Sequence, residues 1–109
     1  MTITMLPLSS LTATEVDQCE VKIAAIMAAY GSDESEIDWS EQPAIVANES
    51  GEILDGHHRA EAFTRLGYTL VRVLVVDADF IALADQIGLQ GAIREAAAEL
   101  GCSYTWAAA

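Results

Sequence analysis

Basic residues are scarce in this chain of 109 residues. Five Lys and Arg side chains stand against 17 Asp and Glu, which gives a formal net charge of −12 at pH 7. A charge of this size repels nucleic-acid phosphates and forgoes the counterion release that drives their binding. Direct DNA binding is therefore disfavoured. A small anion can still bind at a local positive pocket, because charges act over a screening length of about 8 Å.

Cysteine is scarce as well, since Cys19 and Cys102 are the only two. They lie far apart and in no metal-binding spacing. The helical pattern predicts that Cys19 is a small buried hydrophobe, whereas Cys102, near the end of the chain, could be exposed. Two free thiols in a reducing cytoplasm are the plainer interpretation, and a disulfide between them is the alternative.

The sequence has no apolar run long enough to span a membrane, and residues 1–8 lack the basic start of a signal peptide. These absences predict a soluble cytoplasmic protein without a membrane partner. The length suits one domain, residues 1–109, and a hydrophobic fraction of 52% is enough for a core without disulfides.

Four strands are predicted from apolar runs and turn residues. They cover 3–8, 43–48, 52–55 and 70–76, and the second and third form a hairpin around the turn at 48–51. The last strand is almost wholly apolar, which is typical of a strand covered on both faces.

Helices are predicted between these strands. Thr12 and Glu15 fit a capping box for the first helix, which Gly31 ends. The apolar positions of that helix are Val16, Cys19, Ile23, Ile26, Met27 and Tyr30. A second helix covers 57–66, and 78–100 is helical with a break near 88–91. The order β-α-β-β-α-β-α predicts an α+β domain on a small mixed sheet.

The motif Asp55-Gly56-His57-His58-Arg59 (DGHHR) holds both histidines of the chain and one of its five basic residues. It lies at the start of the second predicted helix, where unpaired backbone N–H groups already make the chain positive. Cationic side chains are electrostatically misplaced there unless an anion binds. Phosphate is the usual anion at such a position.

The stretch 53–67, which contains this motif, resembles the ParB N-terminal-like (ParB/sulfiredoxin) domain superfamily. The opening at 6–11 and the strand 70–76 with Asp77 extend the resemblance over roughly residues 3–80, followed by a helical C-terminal extension at 78–103. The resemblance implies a ParB/sulfiredoxin-like fold. It also implies a pocket for the phosphates of a nucleoside triphosphate, with Mg, at the start of the second helix.

Members of this superfamily differ in activity, and the chain departs from each pattern. Partition proteins bind and hydrolyse CTP, sulfiredoxins use ATP to repair an over-oxidised cysteine, and others look like small-molecule kinases. His57 stands where sulfiredoxins need a cysteine, and His-His-Arg replaces the Glu-Arg-Arg type of motif of partition proteins. No helix-turn-helix domain fits after the motif. The expectation is a stand-alone relative.

Arg59 is the candidate phosphate ligand, because its planar guanidinium matches phosphate oxygens in a bidentate way. The alternative is a salt bridge to Asp55 or Glu61. Gly56 would let the backbone turn sharply and approach the ligand. The alternative for Gly56 is a plain turn glycine.

His57 and His58 point about 100° apart on a helix, so at most one faces the pocket centre. Each could donate to a phosphate or act as an acid or base, and the alternative is a hydrogen bond that anchors a loop. Asp55 caps the helix in the simpler interpretation. It could also bind Mg²⁺ or accept a hydroxyl proton.

Other charged residues have simpler interpretations. Glu61 can pair with His57 four residues before it. Arg65 and Arg72 are expected to be surface or interface charges. The acidic stretch 33–41 is expected to be a solvated connection anchored by Trp39 and Ile37, and the alternative is a lid in which Trp39 stacks on a base. Two adjacent histidines do not suffice for zinc.

The function that these residues indicate is nucleotide or phosphate binding, with nucleoside triphosphate hydrolysis or phosphoryl transfer as the possible activity. A non-catalytic acidic protein that binds a protein partner is the second hypothesis. A DNA-associated partition or nuclease-type protein is the third. An apolar run near the end would pack within the chain or build a homodimer; it comprises Ala92, Ile93, Ala96, Ala97 and Leu100.

Overall fold

A computed structural model describes residues 1–14 and 18–100, with Glu41 described in its backbone alone. Its strands and helices follow one another in the predicted order, and the last helix is split in two at Gly88. They are β1 Thr2–Pro7, α1 Glu20–Tyr30, β2 Ile45–Asn48, β3 Ile53–Asp55, α2 His57–Leu66, β4 Leu70–Val76, α3 Ala78–Ile87 and α4 Leu89–Glu99. None of the described helices has the length and apolarity that a bilayer crossing requires.

The four strands form one mixed sheet in the order β1-β4-β2-β3. The inner strand β4 pairs antiparallel with β1 and parallel with β2, and β2 and β3 form the predicted hairpin. Val71 and Val73 of β4 pack on one face of the sheet, and Leu74 and Val76 pack on the other. The prediction that this apolar strand is covered on both faces is confirmed.

Helices cover each face of the sheet. α3 and α4 pack on the face of Leu74, where Ala92, Ile93, Ala96 and Ala97 are buried within the chain. Intramolecular packing is therefore the correct alternative for this C-terminal run, although Leu100 stays 39% exposed. α1 and α2 pack on the opposite face and position the candidate site.

The first helix starts later than predicted, at Glu20 rather than near Glu15. Thr12 cannot begin a helix because its backbone is extended: its N–H donates to the Gly51 carbonyl, and its own carbonyl accepts from the Ile53 N–H. Cys19 is the N-cap residue and is exposed, so the prediction of a buried thiol is wrong. Glu15, Val16 and Cys102 lie outside the described residues.

The acidic connection before β2 is folded rather than simply solvated. It contains two 3-10 turns, which the Asp33 and Asp38 side chains cap by accepting from Ser35 and Ser40 N–H groups. Hydrogen bonds from Ser35 hold the pKa of the Asp33 carboxyl below its ordinary value.

Trp39 and Ile37 anchor this connection in the core, as predicted. The Trp39 ring lies 5.4 Å from the Phe63 ring in an edge-to-face contact, so it is not a residue of a lid over the site. Arg72 is half-buried and donates to the carbonyls of Trp39, Ser40 and Gln42, so it is a structural residue and not a surface charge.

Candidate functional site

The chain reverses sharply between the end of β3 at Asp55 and the start of α2 at His57. Gly56 makes the turn with φ +96°, in the left-handed region that favours glycine. A Cβ atom at this position would lie 3.0 Å from Nη2 of Arg59 and 3.3 Å from Cγ1 of Ile45. The turn therefore needs glycine for its backbone conformation and for its packing.

A cleft of about 370 Å³ opens in front of this turn. One wall is α1, and the other is formed by the end of β3 and the first turn of α2. The lining residues are Lys22, Ala25, Ile26, Leu54, Asp55, Gly56, His57, His58 and Arg59. The volume is within the range of small-molecule sites, about 300–1,000 Å³.

The N-terminus of α2 faces this cleft without a side-chain cap. Its N-cap residue is Gly56, and no side chain of the described residues accepts from the first-turn N–H groups. Asp55 was expected to cap this helix, and that prediction is wrong because the cap position falls one residue later. Uncapped N–H groups and the helix dipole make this end of α2 attractive to an anion.

Arg59 is buried, with 3% of its surface exposed. Its Nη1 donates to the Pro43 carbonyl at 2.7 Å, and its Nη2 lies 3.4 Å from Oδ2 of Asp55. The guanidinium thus ties α2 to the segment entering β2. The predicted alternative, a salt bridge to Asp55, is present, while the charge of Arg59 remains at the edge of the cleft.

Among the described residues, Asp55 is the only one with a carboxylate that lines the cleft. Its side chain is 22% exposed beside Arg59, so one side of the carboxylate faces the cleft. No group of three or more His, Cys, Asp or Glu side chains that could hold a metal ion occurs among the described residues. The role of Asp55 as a Mg²⁺ ligand stays a prediction.

Both histidines connect α2 to the segment that precedes α1. Nε2 of His57 lies 2.9 Å from the Thr14 hydroxyl, which itself donates to the Ile53 carbonyl. Nε2 of His58 accepts from the Cys19 backbone N–H at 3.1 Å. Both therefore make the loop-anchoring hydrogen bonds that were their alternative role, and His58 is the more exposed of the two. Their catalytic role stays a prediction.

Glu61 and Arg65 form ion pairs on the outer side of α2. Arg65 donates to both carboxylate oxygens of Glu20 at 2.7 and 2.9 Å, which lowers the pKa of Glu20 and raises that of Arg65. Glu61 lies 3.6 Å from Nε of Arg65. Glu61 thus pairs with Arg65, whereas the sequence analysis suggested that it could pair with His57. Arg65 is a surface charge, as expected.

Lys22, Ala25 and Ile26 line the cleft but were missed by sequence reasoning. Lys22 is the only lysine of the chain, which was an available signal, but only the packing of α1 against α2 brings it to the motif. Lys22 and Arg59 contribute two positive charges to the cleft against the one negative charge of Asp55. The cleft is thus locally cationic in a chain of net charge −12.

Comparison with solved structures identifies the fold. Sulfiredoxin from Arabidopsis thaliana superposes with a TM-score of 0.53 at 20% identity, over 72% of this chain and 88% of that chain. The chain has the ParB/sulfiredoxin-like fold. A Pnob8-like ParB-N domain also matches, with a TM-score of 0.40 at 15% identity, over 72% of this chain and 30% of that one. No family model and no curated protein sequence matches significantly.

The ParB/sulfiredoxin-like fold accounts for how the site is assembled. The hairpin of β2 and β3 delivers Asp55 to one end of the sheet, and Gly56 redirects the chain into α2. α1 packs across α2 and closes the cleft with Lys22. Candidate residues from 55 to 59 are thereby brought together with a lysine more than 30 positions earlier.

Proposed function

We propose that this sulfiredoxin-like domain binds a nucleotide in the cleft in front of α2. The observation that carries the proposal is the meeting of three features at one place: the uncapped first turn of α2, the left-handed Gly56 and the ammonium of Lys22. Backbone N–H groups at a helix start and a nearby cation are the donors that phosphate oxygens prefer.

Lys22, rather than Arg59, is the side chain that contacts the phosphate in this proposal. Arg59 already donates to Pro43 and pairs with Asp55, whereas Lys22 lies exposed on the α1 wall of the cleft. Arg59 contributes its charge to the site and holds the turn in place. The phosphate thus binds between Lys22 and the N–H groups of His57 and His58.

The rest of the cleft suits the base of a nucleotide. Ala25 and Ile26 from α1 and Leu54 from β3 form an apolar wall beside the phosphate position. An aromatic base buries its faces against such a wall, while its phosphates stay at the polar end. Inorganic phosphate would leave this apolar surface uncovered, so we expect a nucleotide to bind more tightly than phosphate alone.

Phosphoryl transfer or triphosphate hydrolysis is the activity to test first. Mg²⁺ typically binds through one or two carboxylates together with substrate phosphates, and Asp55 could supply one carboxylate. When bound, the ion would neutralise charge on the phosphates. Asp55 or His58 would hold the proton of the attacking hydroxyl or water, because both line the cleft.

The test is calorimetric titration and thermal unfolding with nucleoside mono-, di- and triphosphates, each with and without Mg²⁺. A nucleoside without phosphate and inorganic pyrophosphate separate the two halves of the site. Ligand at 100 times its Kd stabilises the folded chain by about 2.7 kcal/mol, which a melting curve resolves.

Lys22→Gln is expected to weaken nucleotide binding at least tenfold while leaving the melting temperature of the free protein unchanged, because Lys22 is exposed. Arg94→Gln is the matched control, since it removes the same charge from an exposed position on α4, across the sheet. Equal affinities of the wild type and Lys22→Gln, or no binding of any nucleotide, would refute the proposal. Arg59→Ala is a poor probe, because it removes the contacts of Arg59 with Pro43 and Asp55 and is expected to disturb the turn as well as the charge.

A second candidate function is a non-catalytic domain that binds a basic partner. The supporting observation is that His57, His58 and Arg59 all make structural hydrogen bonds, so the motif has a role in the fold without any ligand. Co-purification of a basic protein with an empty cleft would favour it. The third candidate is a DNA-associated protein, although the net charge of −12 repels DNA phosphates. Tight binding of DNA in a gel-shift assay at low salt would support it.

A further inference from the structure

The strand β1 has an open edge. It pairs with β4 along one side, and no strand of the described residues pairs with its other side. The Leu8 N–H donates to the Thr69 carbonyl, so even-numbered residues of this segment point their backbone groups toward β4. The N–H and C=O groups of Ile3 and Met5 therefore point outward, available to another strand.

The side chains of this edge carry no charge, although the chain is strongly acidic, and the N-terminal ammonium before β1 is paired with Asp77 at 3.5 Å. Residues 1–14 contain no Asp, Glu, Lys or Arg, and β4 next to them contributes the single charge of Arg72. Natural edge strands are usually blunted by charges, bulges or prolines, because an open edge pairs readily with another chain. Here the only such device is Pro7 at the end of the strand.

An apolar surface lies beside the open edge. Met5 is 38% exposed and Leu70 is 47% exposed. The register pairs Met5 with Arg72 and Pro7 with Leu70, so Met5 and Leu70 are diagonal neighbours on the same face of the sheet. A strand added to this edge would cover part of this face as well as the backbone groups.

We propose that β1 pairs antiparallel with β1 of a second copy of this chain, which joins two sheets into one. The two-fold axis passes between Thr4 of one copy and Thr4 of the other. Ile3 then faces Met5 of the second copy on both sides of the axis, and all four outward groups of each strand form hydrogen bonds. Such an interface is isologous, as closed dimers require.

Pro7 selects this register. Centring the pair on Met5 would place Ile3 opposite Pro7, which has no N–H and whose carbonyl already accepts from the Ser10 hydroxyl. Centring on Thr4 places Pro7 opposite Met1 of the second copy, beyond the end of β1, so that Ile3 and Met5 keep all their hydrogen-bond partners. In this register, Thr4 of one copy lies directly opposite Thr4 of the other, as a non-hydrogen-bonded pair. The Cα atoms of such a pair are about 4.5 Å apart, and cross-strand threonine pairs are favourable.

Charge favours a second copy over a basic peptide as the occupant. Two chains of charge −12 repel each other wherever carboxylates meet, and this edge lets them meet without opposing any. A basic peptide would be drawn instead to the acidic surfaces, since the charges nearest to this edge include two cations, Arg72 and the N-terminal ammonium, and the carboxylate of Asp77 is already paired with the ammonium. The interface thus consists of one uncharged strand facing another, and it is small enough to be transient.

Cross-linking tests the register. In a background of Cys19→Ser and Cys102→Ser, we expect Thr4→Cys to form a disulfide-linked dimer with oxidised glutathione, because a Cα separation of about 4.5 Å suits a disulfide. Thr2→Cys is the matched control on the same face of β1. Its two copies would lie about 13 Å apart along the strands, beyond the reach of a disulfide.

The wild-type chain provides a test that needs no substitution. On raising the protein concentration from micromolar to millimolar, we expect the mass measured by light scattering to approach twice that of the monomer. The Ile3 and Met5 amides should become protected from hydrogen exchange over the same range, whereas Thr4 and Leu6, which bond to β4, are protected throughout.

A chain that stays monomeric at millimolar concentration would overturn the proposal. So would equal cross-linking of Thr4→Cys and Thr2→Cys, or Ile3 and Met5 protection that does not change with protein concentration. Thr4→Lys, which places two ammonium groups together at the axis, should abolish the dimer. Ser9→Lys, in the exposed turn after β1, adds the same charge and should leave the dimer intact.

Discussion

Single residues at the site act first on the fold and only then on a ligand. Contacts with Pro43 and Asp55 hold the Arg59 guanidinium in place. Its Nη2 atom lies 3.0 Å from the position that a Cβ atom of residue 56 would take. Gly56 and Arg59 therefore depend on each other. Replacing either one changes the turn that shapes the cleft.

A pair of glycine substitutions measures this dependence. Gly56→Ala and Gly67→Ala both place alanine at a positive φ, +96° and +80°, which costs about 1–2 kcal/mol. Nothing lies within 4 Å of a Cβ atom at Gly67, so that variant reports the backbone cost alone. We expect Gly56→Ala to be the more destabilised in urea unfolding. Equal losses would show that the approach of Arg59 is unimportant.

At the scale of elements, side-chain caps compensate for backbone groups that the helices leave unpaired. The Asp77 carboxylate accepts from the Phe80 N–H at 3.0 Å and begins α3 directly after β4. That hydrogen bond holds the pKa of the Asp77 carboxyl below its ordinary value, and the N-terminal ammonium 3.5 Å away adds to the effect. α2 differs because its first turn has no such cap.

Asp77→Ala is expected to destabilise the chain by about 1 kcal/mol, because the cap of α3 is lost. The control is Asp79→Ala, which removes an exposed acid from the same turn. It should lower the free energy of unfolding by only a few tenths of a kcal/mol. Asp77→Asn keeps a capping oxygen but loses the charge, so at pH 7 its loss of stability should be smaller than that of Asp77→Ala but still measurable.

The pH dependence gives the sign of the Asp77 contribution. A depressed carboxyl pKa stabilises the fold above the ordinary value of about 4, and this contribution is lost as the pH falls below it. The advantage of the wild type over Asp77→Ala should therefore shrink on acidification. An advantage that grows below pH 4 in urea titrations would contradict this assignment.

At the scale of the whole molecule, repulsion among the many carboxylates lowers the stability of the folded chain. Specific hydrogen bonds and ion pairs offset this loss only in part. Several carboxylates have fixed donors that lower their pKa, notably Glu34, which accepts from the backbone N–H and hydroxyl of Thr69. Most of the remaining acids are exposed on the surface. Their mutual repulsion destabilises the compact state at neutral pH.

Salt should therefore raise the melting temperature at pH 7. Screening becomes effective as the Debye length shortens from about 30 Å at 0.01 M to about 8 Å at 0.15 M. Each gain of 1 kcal/mol would raise Tm by about 4–8 °C in a domain of this size. The control is the same salt series near pH 4.1, the isoelectric point, where the effect should nearly vanish. A Tm that falls with salt at pH 7 would contradict the expectation.

Local patterns predicted the elements well wherever the signal lay in adjacent residues. The strand at Leu70–Val76 and the helix at His57–Leu66 have the predicted bounds, because apolar runs and glycines mark both ends. The start of α1 was predicted wrongly because Thr12 is extended by hydrogen bonds to residues 51 and 53. A capping motif cannot reveal a competing partner about 40 positions away.

The sequence by itself determined the fold class, the position of the sharp turn at Gly56 and the acidic character of the chain, since these depend on composition and on neighbouring residues. Only the tertiary structure decided which side chains share the cleft. It buried Arg59 against Pro43, turned both histidines toward the segment before α1 and brought Lys22 across from α1. The physical reason is that such contacts depend on how helices pack, which no local spacing encodes.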